Sequence, residues 1–184
     1  LTIAKKAKEA GVELFVLDDG WFGKRDDDNS SLGDWFVNEE KLKGGLNKLA
    51  TEINEMGLQF GLWFEPEMVS PISELYKEHP DWCIHIPGRN RSEARRQLIL
   101  DYSREDVCNY IIEKISEVLS SAPISYVKWD MNRNMSEIGS AKLPANRQRE
   151  VAHRYILGLY KVLEEITTRF PDVLFESCSG GGGR

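Results

Sequence analysis

Five short apolar, β-rich runs, each ending in polar residues, constrain this chain more than any other feature in it. They are ELFVLDDGW (13–21), LQFGLWFEPE (58–67), RQLILDYS (96–103), ISYVKWDMN (124–132) and DVLFESCSG (172–180). Helical patterns lie between them. LNKLATEINEM (46–56) repeats apolar residues at helical spacing and stops at Gly57. SREDVCNYIIEKISEVLSS (103–121) opens on Ser103 as an N-cap, carries acids in its first turn and ends before Pro123. RQREVAHRYILGLYKVLEEITTRF (147–170) reads as a long helix closed by Pro171. Strand and helix alternate, and the strands are near-continuously apolar, which predicts a parallel sheet covered on both faces. At the ends, LTIAKKAKEAG reads as the later part of an amphipathic helix, and SCSGGGGR stops inside a glycine loop. Both ends lead us to expect a piece of a longer protein.

The ends of the runs hold the polar residues. The first ends in Asp18 and Asp19, the second in Trp63, Glu65 and Glu67, and the third in Asp101. The fourth ends in Lys128 and Asp130, the fifth in Glu176 and Cys178. In a parallel α/β barrel the active site forms at the C-terminal strand ends and the loops that follow. A doubly wound open sheet would also gather polar residues there, but the GxGxxG loop expected after its first strand is absent. The expected fold is therefore α/β, an incomplete (β/α)8 barrel with about five of its eight strands present.

Composition removes several function classes. At 184 residues and 41% hydrophobic content the chain builds one globular core. A net charge of −6 argues against a general nucleic-acid binder, which needs a basic face. No apolar run approaches the roughly 20 residues of a membrane span. Cys83, Cys108 and Cys178 are odd in number and scattered, which suits a reducing compartment and gives no zinc spacing. None of His79, His85 and His153 stands at a strand end, so no transition-metal centre is expected. The acid-rich stretch KRDDDNSSLGDW (24–35) lacks the calcium-loop ligand order and reads as a solvated loop.

Residues two apart on a strand share a face, so Lys128 and Asp130 project into the same space. A neighbouring ammonium favours the ionised carboxylate, the form a carboxylate nucleophile requires. On spacing alone the two also read as an ordinary ion pair at the strand end. Trp129 points to the other side and reads as packing. Asp18 and Asp19 face opposite sides of their strand unless the turn at Gly20 swings both inward; a capping or loop-satisfying role is the alternative. Two acids with Trp21 and Trp63 close at hand suit a sugar, whose hydroxyls need acceptors and whose apolar face suits an aromatic platform. SCSGGGGR lacks the phosphate-loop ending, and its glycines suit close approach of a flat ligand to the backbone. Cys178 has no evident partner histidine, which disfavours a thiol nucleophile. Arg95 and Arg96 precede the third run as surface charges, or as an arginine reaching over the pocket.

LDDGWFG (17–23), GLWFEPEMV (61–69), the Arg-to-Asp pattern from Arg95 to Asp101, KWDMNR (128–133) and ESCSGGGGR (176–184) together resemble glycoside hydrolase family 36, the α-galactosidases. The similarity runs over nearly the whole chain in the family's order. It implies a retaining exo-α-galactosidase acting on melibiose- and raffinose-type sugars, with a (β/α)8 catalytic barrel and no metal or organic cofactor. It implies a galactoside as the partner, with no nucleic acid and no membrane. Bacterial members of this family are typically cytoplasmic and often tetrameric. By the same resemblance Asp130 matches the nucleophile, and Asp18 and Asp19 match acids that bind galactose hydroxyls. Trp63, Arg95, Lys128, Asn132 and Cys178 match other residues lining the galactose subsite, with Gly180 and Gly181 in its floor.

A retaining glycosidase needs a second carboxyl group as acid/base, about 5–5.5 Å from the first. The resemblance puts that residue beyond residue 184, so residues 1–184 are expected to be the central part of the catalytic barrel domain, inactive alone. Related alternatives are a raffinose-synthase-like galactosyl transferase and an α-N-acetylgalactosaminidase. A non-catalytic sugar-binding module is the other alternative, though a decayed site would have lost the acids at Asp18, Asp19 and Asp130.

Overall fold

The structure, a computed structural model, describes residues 1–91 and 93–179. Helix α1 (Thr2–Glu9) leads into strand β1 (Leu14–Leu17), and helix α2 (Gly45–Glu55) leads into β2 (Gln59–Phe64). A long excursion follows: β3 (Met68–Val69), the short helix α3 (Glu74–Glu78), a 3-10 turn (Pro80–Trp82) and β4 (Leu98–Ile99). Helix α4 (Glu105–Ser121) then leads into β5 (Tyr126–Trp129), and helix α5 (Val151–Arg169) into β6 (Leu174–Ser177).

The sheet has the order β1-β2-β5-β6, with every pairing parallel. This is the α/β class expected, an arc of a (β/α)8 barrel with one crossover helix per strand. The strand count differs: four of the five runs enter the parallel sheet. The run at 96–103 contributes only Leu98–Ile99, which pairs antiparallel with Met68–Val69. A parallel connection needs a covering helix, and among the described residues between 67 and 96 the chain forms only five-residue α3 and the 3-10 turn Pro80–Trp82, in a stretch broken by Pro71, Pro80 and Pro87. The apolar run is therefore a buried hairpin arm in the loop between β2 and α4. Its Asp101 is no barrel strand end. Its carboxylate accepts bonds from the Ser103 backbone and hydroxyl and from the Ser140 hydroxyl, fixing the turn into α4.

Two helix starts also shift. Ser103 is spent on Asp101, and α4 begins at Glu105 after an extended Arg104. The long helix begins as a 3-10 turn (Ala145–Glu150) before α5 proper. Its core stripe is Val151, Tyr155, Leu159, Val162 and Ile166, at spacings of three and four. Val107, Cys108, Ile111, Ile112, Ile115, Val118 and Leu119 make the facing stripe of α4. Full burial of one such aliphatic side chain contributes about 1.5–3 kcal/mol. These stripes hold the helices against the outer sheet face, where Phe60, Leu62, Phe64, Val127 and Trp129 are buried.

The inner face carries the alternate residues. Val16, Gly61, Tyr126 and Leu174 lie in register as one row, and Trp63, Lys128 and Glu176 as the next. At Gly61 a Cβ would meet Tyr126 Cδ1 at 2.9 Å and Val16 Cγ2 at 3.0 Å, so glycine makes room for its neighbours. β2 is covered on both faces, but Tyr126 and Lys128 are only half-buried, and Leu174 is 66% exposed.

The loop at 24–35 is less solvated than its acids suggest. Leu32 and Trp35 are in the core, and Asp34 is buried, accepting the backbone N–H groups of Glu74 and Leu75 at the start of α3.

Candidate active site

β5 delivers Asp130 to the C-terminal edge of the sheet, on the side that Lys128 faces. Its backbone N–H donates to Phe64 O at 2.8 Å, which ties it to the end of β2. The carboxylate is 5% exposed and surrounded by donors. Trp63 Nε1 donates to Oδ2 at 3.1 Å, Asn132 Nδ2 donates to the same oxygen at 2.6 Å, and the Met131 N–H donates to Oδ1 at 2.9 Å. The Cys178 thiol donates to it as well, from the end of β6, where the Cys178 N–H is anchored on Trp129 O at 2.8 Å. Burial is the largest influence on Asp130 and pushes its pKa up, but these hydrogen bonds outweigh it and hold the carboxyl below its ordinary range. The same bond raises the pKa of the Cys178 thiol, because the carboxylate favours its protonated form.

Asp130 is thus charged for a reason other than the one its spacing suggests. Lys128 Nζ lies 3.5 Å from Asp18 Oδ2, across β2, rather than against Asp130. Asp18 also accepts the Asp19 N–H at 2.8 Å. The Asp19 carboxylate takes a fork from Arg25, with Nε at 2.8 Å and Nη2 at 2.9 Å. The buried Arg25 is fixed in turn on Ser30 O. Arg25 was hidden in an acid-rich stretch; the one signal for it was a lone arginine following two acids at a strand end.

The tryptophans divide. Trp21 is 1% exposed and belongs to the core, edge-on to Phe64, with Nε1 donating to Trp63 O at 2.9 Å. It offers no open platform to a sugar. Trp63 is 3% exposed and meets the site through its ring nitrogen. Trp129 is core, as its outward position requires, with Nε1 donating to the buried carboxylate of Glu67 at 3.1 Å. Tyr155 donates to the other Glu67 oxygen at 2.6 Å, which fastens α5 to the end of β2.

Arg95 and Arg96 form the tip of a tight turn closed by the Gln97 N–H on Ala94 O at 2.9 Å. Both have left-handed backbones, with φ of 52° and 53°, and both are exposed. Glu65, next on the inner side after Trp63, is buried and accepts the Asn132 N–H at 2.6 Å. Burial chiefly, with the charge of Asp130 adding, raises its pKa to about 7, and the charge of Arg95 works against that rise. Gly180 and Gly181 lie outside the described residues.

Among the described residues no group of three His, Cys, Asp or Glu side chains is arranged to hold a metal ion, and no helix is long and apolar enough to cross a membrane. The site gathers an ionised buried carboxylate, further acids, an ammonium and a guanidinium at one sheet edge. Such a set can attack an electron-poor carbon and hold hydroxyls around it.

The chain is 72% identical over its whole length to the α-galactosidase AgaA of Geobacillus stearothermophilus. It is 56% identical over 183 residues to the α-galactosidase Mel36A of Lactobacillus acidophilus. It spans about a quarter of the length of each of these curated relatives. The crystal structure of AgaA, described as a GH36 α-galactosidase, superposes with a TM-score of 0.96, covering 99% of this chain and 25% of that one. An AgaA variant solved with raffinose matches with the same TM-score and 72% identity, over all of this chain and 26% of that one. A family model described as Melibiase matches residues 1–184. Matched over its whole length in this way, the chain belongs to the melibiase family, the glycoside hydrolase family 36 α-galactosidases.

Proposed function

We propose that the protein carrying this chain is a retaining α-galactosidase. It removes terminal non-reducing α-D-galactosyl residues from melibiose- and raffinose-type oligosaccharides through a galactosyl-aspartate intermediate on Asp130. The observation that carries this reading is the Asp130 carboxylate, buried at the end of β5 yet kept ionised by Trp63, Asn132, Cys178 and the Met131 N–H. In the first step an Asp130 oxygen bonds to the anomeric carbon as the glycosidic C–O bond breaks. The leaving oxygen takes a proton from an acid carboxyl supplied beyond residue 184. In the second step that carboxylate takes a proton from water, whose oxygen displaces Asp130. The anomeric configuration is inverted twice and so retained.

Asp18 and Asp19 are assigned to the galactose hydroxyls, with Trp63, Arg95, Lys128, Asn132, Cys178, Gly180 and Gly181 lining the subsite. The raffinose complex of the AgaA variant supports a galactoside as substrate class. Residues 1–184 are assigned to the central part of the catalytic barrel, with flanking domains outside this chain. The full protein is assigned to the cytoplasm, as a homo-oligomer, with a tetramer as one candidate state.

Replacing Asp130 by Asn in the full-length protein tests the assignment. The exchange removes the nucleophile but keeps the side chain's shape. The expected result is a loss of roughly 10³-fold or more in hydrolysis of 4-nitrophenyl α-galactoside, with an unchanged circular dichroism spectrum. A rate within tenfold of the wild type would refute the nucleophile role.

A further inference from the structure

We propose that Glu65 is a positioning residue of this site, acting on Asp130 through Asn132 and joining the nucleophile's loop to the turn that carries Arg95. The inference rests on the function proposed above.

Each Glu65 carboxylate oxygen accepts a hydrogen bond from a different part of the chain, and the Asn132 side chain donates to Glu65 as well. Oε1 accepts the Asn132 backbone N–H at 2.6 Å, and Oε2 accepts Gln97 Nε2 at 3.3 Å. The first bond fixes the main chain of a residue whose side chain donates to Asp130 Oδ2 at 2.6 Å. Phe64, the residue before Glu65, holds the Asp130 N–H. Two consecutive β2-end residues therefore grip both ends of the segment 130–132, and the Asn132-to-Asp130 bond is set by the distance between those grips. The second bond reaches the Arg95–Arg96 turn, because Gln97 is its closing residue. The turn's left-handed arginines persist only if the surroundings hold them, and Gln97, itself buried, is where they are held.

A carboxyl placed this deep, beside a second carboxylate, costs stability when ionised, which is why its pKa stands near 7. Gln97 Oε1 is buried with no hydrogen-bond partner, so a donor on Glu65 Oε2 would satisfy it once the Gln97 amide is turned over. Protonated Glu65 supplies that donor, and so does glutamine at position 65. The geometry thus predicts a conservative rescue: Glu65→Gln keeps both links, whereas Glu65→Met keeps the volume and loses both.

The test uses the full-length protein with 4-nitrophenyl α-galactoside. Glu65→Met is expected to lower kcat roughly 100-fold, the scale on which small misplacements act, and Glu65→Gln to stay within about threefold of wild type. Because Glu65 acts on Asp130 through Asn132, the double variant E65M/N132A is expected to have a kcat no lower than that of N132A, the lost link to the Arg95 turn showing in KM. A kcat for E65M within threefold of wild type would overturn the proposal. So would an E65Q as impaired as E65M, or kcat losses that multiply in the double variant. Should E65M fail to fold, Glu65→Asp replaces it, withdrawing the carboxylate by one methylene, with a loss of tenfold or more expected. A wild type without turnover of this substrate would count against the function reading instead. The crystal structure of E65M separates the two: an Asn132 Nδ2 still bonded to Asp130 would overturn the positioning role whatever the substrate.

Discussion

At the scale of single residues, Asp130 shows how a buried carboxylate is kept charged without an adjacent cation. Neutral donors do the work, and each can be removed separately. Its pKa lies below the ordinary range, so activity that needs the carboxylate is complete above that pKa and is lost as pH falls through it. Removing a donor raises the pKa. We predict that Cys178→Ala moves the acidic limb of the kcat/KM profile to higher pH, whereas Cys178→Ser, which keeps an O–H donor, leaves it in place; an unmoved limb in the alanine variant would contradict this. The acids at 18, 19 and 130 were legible in sequence because strand alternation and barrel logic both point to strand ends. The partner of Lys128 was not legible. Spacing along one strand reports neighbours on that strand, and Asp18 arrives from another strand on the far side of β2.

At the scale of elements, the tightest constraint is where α5 meets the turn before α4. A Cβ at Gly158 would run into the Tyr102 carbonyl oxygen and stand 2.9 Å from its carbon. Gly-to-Ala exchange inside a helix ordinarily stabilises by about 0.5–1 kcal/mol. Here the contact is with backbone that cannot rotate away, and overpacking typically costs about 1–3 kcal/mol, more where nothing can shift. The steric effect wins, so Gly158→Ala is predicted to lower the thermal unfolding midpoint by several degrees; an unchanged or raised midpoint would show that α5 slides without cost. The helices were readable from apolar spacing, to within a turn at their starts. The run at 96–103 misled because a short continuous apolar stretch looks alike in a parallel strand and in a buried hairpin arm. The prolines at 71, 80 and 87 were the missed signal, since they leave no room for the crossover helix a parallel strand requires.

At the scale of the whole molecule, the four parallel strands among the described residues make an arc with two edges. β1 is only half-buried and β6 is largely exposed, with Leu174 open on the inner face. Unpaired parallel edges of this kind recruit other chains. The purified 184-residue segment is therefore predicted to self-associate on size-exclusion chromatography and to leave 4-nitrophenyl α-galactoside unhydrolysed. A monodisperse monomer with steady turnover would contradict both the edge argument and the assignment of the acid/base beyond residue 184. The central claim, a galactosyl bond to Asp130, is tested most directly by covalent trapping. The full-length protein is incubated with an activated 2-fluorogalactoside, digested, and its labelled peptide identified by mass spectrometry. The sugar is predicted on the peptide carrying Asp130; a label on any other peptide would contradict it.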